Sequence, residues 1–157
     1  MILIPNEITD KLESMISAEF PGEKVYRELV PSDFVRPSNL IVQDPSEIQV
    51  DLGCSIMEVR TTFTITTYVT TDEYAHSHLT ELHIRQMRLL KLFLPGFIKV
   101  GDRAPKVKGT IKTGGGYDYD TLTVTLAYTL NRSDFLEIPQ LPAADQLHLN
   151  EEVTTYG

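Results

Sequence analysis

Apolar and polar positions alternate along this chain in two distinct rhythms. Over residues 6–20, Ile8, Leu12, Met15, Ile16 and Phe20 recur at helical spacing while Glu7, Asp10, Lys11, Glu13 and Ser17 fill the other side. Asn6 is placed to cap this helix, Glu7 and Asp10 suit its positive end, and Pro21-Gly22 stops it. Short strand-like runs follow at 24–27 and 40–42, separated by a loop at 31–37, and residues 47–52 alternate with Ile48, Val50 and Leu52 on one side. The strongest strand is 56–69. Met57, Val59, Phe63, Ile65 and Val69 share a face with Thr61 and Thr67, and Glu58, Arg60, Thr62, Thr64, Thr66 and Tyr68 share the other. At ~3.3 Å per residue it reaches about 45 Å, so part of it is expected to project or to pair outside the core.

Helical spacing returns at 71–93, with Thr71-Asp72-Glu73 as the cap and a stripe of Ala75, Leu79, Leu82, Leu90 and Phe93. Glu81, Arg85 and Arg88 are expected opposite that stripe, with Glu81 and Arg85 supporting each other at i and i+4. Gln86 falls inside the stripe, so its amide needs partners; a bond to the sheet backbone is favoured over a subunit contact. Leu94-Pro95-Gly96 ends the helix, 97–100 opens a strand, and the Gly- and Lys-rich stretch to Gly116 reads as a mobile loop or hairpin. Residues 119–131 form a closing strand with Leu122, Val124, Leu126, Tyr128 and Leu130 inward and threonines outward. Two long threonine-rich strands of matching alternation are natural antiparallel neighbours. The expected fold is α+β: a mixed, largely antiparallel sheet with two amphipathic helices on one face, a domain over 1–133, and an extended C-terminal arm over 134–157.

The chain has 157 residues, one cysteine, Cys54, and a net charge of −8 from 14 basic and 22 acidic side chains. That length suits one domain with a core of its own. A single cysteine excludes an intrachain disulfide, and the acidic balance argues against a general nucleic-acid coat. No apolar run reaches the ~18 residues of a membrane helix, and Pro5 with no basic lead-in argues against a signal peptide at the start. The charge is unevenly placed. Lys99, Arg103, Lys106, Lys108 and Lys112 face only Asp102 within 97–116, whereas the stretch from 134 on carries Asp134, Glu137, Asp145, Glu151 and Glu152 and no Lys or Arg. These segments either pair, within or between chains, or are solvated surface. Pro139 and Pro142 block regular structure in the tail, yet Phe135, Leu136, Ile138 and Leu141 are too apolar for simple disorder, which fits an arm docked on a neighbour.

Catalytic chemistry is thin. His76 and His83 stand seven residues apart, too far along a helix to share an ion; His76 and His78 point about 200° apart on a helix and come together only if its start is non-helical, with no carboxylate or Cys at ligand spacing to support them. Asp118 and Asp120 alternate onto one strand face, a geometry open to a divalent cation in a small metal-dependent hydrolase. Gly114-Gly115-Gly116 precedes a strand, so it is not a phosphate loop, and Cys54 has no histidine nearby in sequence. Neither a catalytic set nor a cofactor is expected.

With Gly116-Tyr117-Asp118-Tyr119 leading into the closing strand, the chain resembles the lambda-like tail terminator proteins of long-tailed bacteriophages. The likeness spans about residues 6–131. It also rests on the amphipathic first helix before Val25-Tyr26, the buried Leu40-Ile41-Val42 and the Thr-rich strand at 60–69. The basic stretch before Gly114 and the acidic extension from Asp134 depart from that pattern. The resemblance implies a virion protein, assembled in the host cytoplasm, that forms a homo-oligomeric ring, typically a hexamer. Such a ring caps the tail tube, stops its polymerisation and meets the head connector, and DNA passes its lumen without specific binding. A neck or head-completion adaptor is the alternative in the same setting. Basic residues 99–112 facing Asp134, Phe135, Glu137, Glu151 and Glu152 of the next subunit are the expected interface.

Overall fold

The computed structural model describes residues 2–50, 53, 55–72 and 78–135. In chain order the elements are α1 (Pro5–Glu19), β1 (Lys24–Arg27), β2 (Ser38–Gln43), β3 (Glu47–Gln49) and β4 (Ile56–Tyr68). They continue with α2 (Leu79–Lys91), β5 (Lys106–Val107), β6 (Lys112–Gly115), β7 (Asp120–Asn131) and the single turn α3 (Arg132–Phe135). The fold is α+β, a seven-stranded sheet of order β1-β2-β4-β7-β5, with β3 on β4 and β6 on β7. Among the described residues only β1–β2 is parallel.

The β4–β7 ladder is the spine of the sheet. It pairs without interruption from Ile56 opposite Asn131 to Thr67 opposite Asp120. No part of the long strand projects, because β2 covers its outer edge over Phe63–Tyr68 and β3 over Glu58–Arg60. The extra length is absorbed by two short partners on each flank. The expected alternation holds: Val59, Phe63, Ile65, Leu122, Val124, Leu126 and Tyr128 face one core with Ile8, Leu12, Ile16, Leu89 and Phe93 of the two helices. Both helices therefore cover one face of the sheet.

Local details differ from expectation for identifiable reasons. Ile4, not Asn6, is the residue before α1, since Pro5 takes the first helical position with its φ already set. Glu7 reaches back to the Ile4 N–H at 3.3 Å. β3 stops at Gln49, and Ile48 and Val50 are exposed; Asp51, Leu52 and Cys54 lie outside the described residues. α2 begins at Leu79, not at 71–73; Glu73, Ala75 and His76 lie outside the described residues. With that later start the buried face is Leu82, Arg85, Gln86 and Leu89, and Leu79 is exposed. Arg85 thus turns inward. Its guanidinium grips both oxygens of Glu23 (2.6 and 3.0 Å), donates to Thr67 Oγ1 at 2.7 Å and Asn39 Oδ1 at 3.3 Å, and lies 4.1 Å from the Phe20 ring centroid. It pairs with Glu23 across the fold, not with Glu81 along the helix. Gln86 bonds the sheet backbone as expected, donating to the Gly114 and Thr121 carbonyls at 3.1 and 3.0 Å.

The segment after α2 is bridged, not a strand, at 97–100. Ile98 and Val100 enter the core, and Val100 and Arg103 exchange backbone hydrogen bonds of 2.8 and 3.0 Å in a tight turn. Of the mobile loop and the hairpin expected for the Lys-rich stretch, the paired form is observed: β5 and β6 both lie antiparallel on the outer edge of β7, β6 across the turn at 116–119. Residues 136–157, the expected arm, lie outside the described residues.

Candidate interaction surface

Helices on one face leave the other to threonine. Thr62 and Thr64 lie opposite Thr125 and Thr123, with hydroxyl oxygens 2.9 and 3.4 Å apart, and Thr66 lies opposite Thr121. These side chains are only half-exposed or less because neighbouring β-branched residues crowd them, so the face is closely packed.

Of the expected basic residues, Lys106, Lys108 and Lys112 border this face. Lys106 pairs with Ala127 and Lys112 with Thr123, so both stand on the threonine side at the edge of β7, about 13 Å apart along the strand. Between them Lys108 donates to Glu58 at 3.1 Å, and Arg60 donates to the same carboxylate at 2.7 Å. The Arg60 and Lys108 hydrogen bonds hold the Glu58 carboxyl below the usual carboxylate range despite its burial. Arg103 lies over the Tyr128 ring and donates to the Thr129 carbonyl. Together with Glu58, Lys106 and Lys108 these groups line a cavity of about 400 Å³. Lys99, Lys106 and Lys112 are exposed and make no ion pair among the described residues.

The acidic side of the expected interface is only begun. Asp134 is exposed in α3, just past the end of β7, and Phe135 closes that turn. Glu137, Glu151 and Glu152 lie outside the described residues. The described residues therefore end at the same end of β7 that carries Arg103 and Lys106.

Asp118 and Asp120 do not share a site, contrary to simple alternation. Residues 116–119 turn between β6 and β7, the Gly116 N–H reaching the Tyr119 carbonyl at 2.8 Å. This turn takes Asp118 out of the strand. Its carboxylate pairs with Arg36 at 3.1 Å, and that guanidinium stacks on Phe34 and Tyr68 on the open face. Asp120 begins β7 on the helix side, where His83 Nε2 stands 3.7 Å away. His83 is otherwise exposed, and His78 precedes α2. Among the described residues no group of three or more His, Cys, Asp or Glu could hold a metal ion.

Asp120 is 3% exposed, and its Oδ2 has no hydrogen-bond partner among the described residues. Burial pushes its carboxyl above the ordinary range, and His83 draws it partly back. A carboxyl raised on folding makes ionisation costly. That cost is absent below the unfolded value of about 3.9 and full once pH passes the raised folded value. Asp120→Asn is expected to raise the melting temperature by a few degrees at pH 7, with the gain vanishing near pH 3. Calorimetry at the two pH values checks this, and a destabilised variant at pH 7 would contradict it.

Two apolar surfaces escaped the periodicity argument. α2 exposes Ile84 and Met87, and the N-terminal segment with β3 exposes Ile4 and Ile48. Burial of Arg85 and Gln86 on α2 displaces apolar side chains outward, a trade that spacing alone does not reveal. Comparison with known protein families and with curated proteins finds no match. No helix among the described residues is long and apolar enough to cross a membrane.

Proposed function

We propose that this chain is a structural ring subunit, a tail terminator of a long-tailed bacteriophage. In this reading copies associate head to tail, typically six, to cap the finished tail tube and to present a surface to the head connector. The observation that carries it is the threonine face of the β4–β7 ladder, uncovered by any helix among the described residues and edged by Lys106 and Lys112. A closely packed β surface whose rim lysines make no ion pair among the described residues suits repeated contact with an acidic protein partner, and this chain is itself acidic. The basic rim and the acidic segment from Asp134 provide opposite charges for heterologous contacts that close a ring. The net negative charge suits a lumen that DNA slides through without sticking.

Light scattering from micromolar to near-millimolar protein, with and without tail-tube protein, tests the proposal. A discrete ring mass, or a monomer that assembles on the tube, supports it; a strict monomer indifferent to the tube sinks it. Lys106→Glu combined with Lys112→Glu is expected to weaken assembly at least tenfold while leaving the fold intact, as neither side chain makes an ion pair among the described residues. Lys108→Glu is a poor probe, since it also breaks the Glu58 contact.

A further inference from the structure

An apolar groove opens between the N-terminal segment and β3. Ile2, Leu3, Ile4 and Ile48 form its walls, and Met57 and Leu130 lie in its floor. Its volume is about 220 Å³, below the ~300–1,000 Å³ of small-molecule sites and on the scale of inserted side chains. The walls are fixed: Tyr128 donates from its hydroxyl to the Leu3 carbonyl at 2.7 Å, and Ile48 is in register with Val59. Yet Ile4 is 48% and Ile48 57% exposed, an apolar rim with nothing against it among the described residues.

The last described residues lie beside this groove. β7 pairs Leu130 with Met57 and Asn131 with Ile56, and the Arg132 N–H that opens α3 bonds the Ser55 carbonyl at 2.7 Å. The chain thus turns alongside the groove floor as it leaves. The next residues in the chain are Leu136-Glu137-Ile138-Pro139-Gln140-Leu141. When extended, Leu136 and Ile138 fall on one side and Glu137 on the other. Pro139 forbids a helix interior there but accepts an extended path. Extended, each residue beyond Phe135 adds about 3.3–3.6 Å of reach.

The geometry points to residues 136–141 of the same chain as the occupant of this groove, with Leu136, Ile138 or Leu141 inserted beside Ile48. A tethered segment meets its own groove at an effective concentration near millimolar, an advantage that a neighbouring copy lacks. The acidic residues beyond, Asp145, Glu151 and Glu152, then start from a fixed point at the Arg103 end of β7. Docking of this kind needs no ring.

The test uses the full chain with Cys54→Ser. Ile48→Cys is combined in turn with Leu136→Cys, Ile138→Cys and Leu141→Cys, and each protein is mildly oxidised at low concentration. At least one pair is expected to close an intramolecular disulfide, read as faster non-reducing migration that persists on dilution. Leu94→Cys, on an exposed position after α2, replaces Ile48→Cys as the control and is expected to close none. Disulfides only between chains would assign the groove to a neighbour's segment and overturn the inference, as would none at all. In the chain without added cysteines, Ile48→Asp is expected to speed cleavage after Glu137 by a glutamate-specific protease about tenfold, the factor that loss of a buried aliphatic contact implies. Unchanged cleavage would also overturn it.

Discussion

Arg85→Ala is expected to cost about 3–5 kcal/mol, the penalty for removing one partner of a buried ion pair. The guanidinium is the meeting point of four elements. It ties Glu23, after α1, to Thr67 of β4 and Asn39 of β2 from its own position on α2, and it covers the Phe20 ring. Without it the Glu23 carboxylate loses its bidentate partner, and Asn39, whose Nδ2 already has no hydrogen-bond partner among the described residues, loses a bond at its oxygen. In a chain of this length the melting temperature should fall by on the order of 10 °C. Arg85→Lys should recover little, because one ammonium cannot reproduce the fork that spans Glu23 and Thr67. Arg27→Ala is the internal comparison. That side chain also meets two carboxylates, Asp10 and Glu13, but in an exposed setting, so its loss should cost under about 1 kcal/mol. Thermal melts of the three variants decide it, and an Arg85→Ala as mild as Arg27→Ala would refute the assignment.

The second large effect falls at Gly115→Ala, expected to cost about 3 kcal/mol. Gly115 sits at φ +142°, and an added Cβ would lie 2.4 Å from Asp120 Oδ1 and 2.5 Å from the Tyr119 carbonyl oxygen. Neither neighbour yields easily. Asp120 is sealed under His83, and the Tyr119 carbonyl holds the turn through Gly116. The damage should be local. Amide exchange should quicken across β6 and the start of β7, where Gln86 bonds the Gly114 carbonyl, while α1 amides keep their protection. Gly109→Ala, also at positive φ but with open space around it, should lose only about 1 kcal/mol. Equal losses at the two glycines would show that the close approach at Gly115 carries no weight.

Most of the fold was legible because its two long strands are written in a strict two-residue rhythm. Phe63, Ile65, Leu122 and Val124 cannot leave the core face without sending the whole strand the other way. Gln86 was legible too, since a buried amide must find backbone. Arg85 was not. Charge argues for solvent until a partner carboxylate arrives from elsewhere, and Glu23 is 62 residues away. The pairing of β5 and β6 with β7 was hidden for another reason: two- and four-residue strands rich in Lys and Gly carry no periodicity, and a free edge recruits them by backbone alone. The basic residues of the candidate surface could be named from composition, but their alignment along one edge depends on that pairing. The Asp118–Asp120 alternation failed because the turn at 116–119 ends before the strand begins.

The β4–β7 ladder also sets the order of events during synthesis. β4 emerges from the ribosome with β2 and β3 already made, so one of its edges can pair at once. Its other edge must wait until α2 and the whole of residues 92–119 have been translated before β7 arrives. During that interval a thirteen-residue, β-branched strand presents unpaired backbone to its surroundings. Arg60 and the threonines on its open face make only that face of the waiting strand polar; Val59, Phe63 and Ile65 keep the other apolar. Pauses placed between residues 70 and 119 should therefore lower the soluble yield more than pauses placed before residue 50.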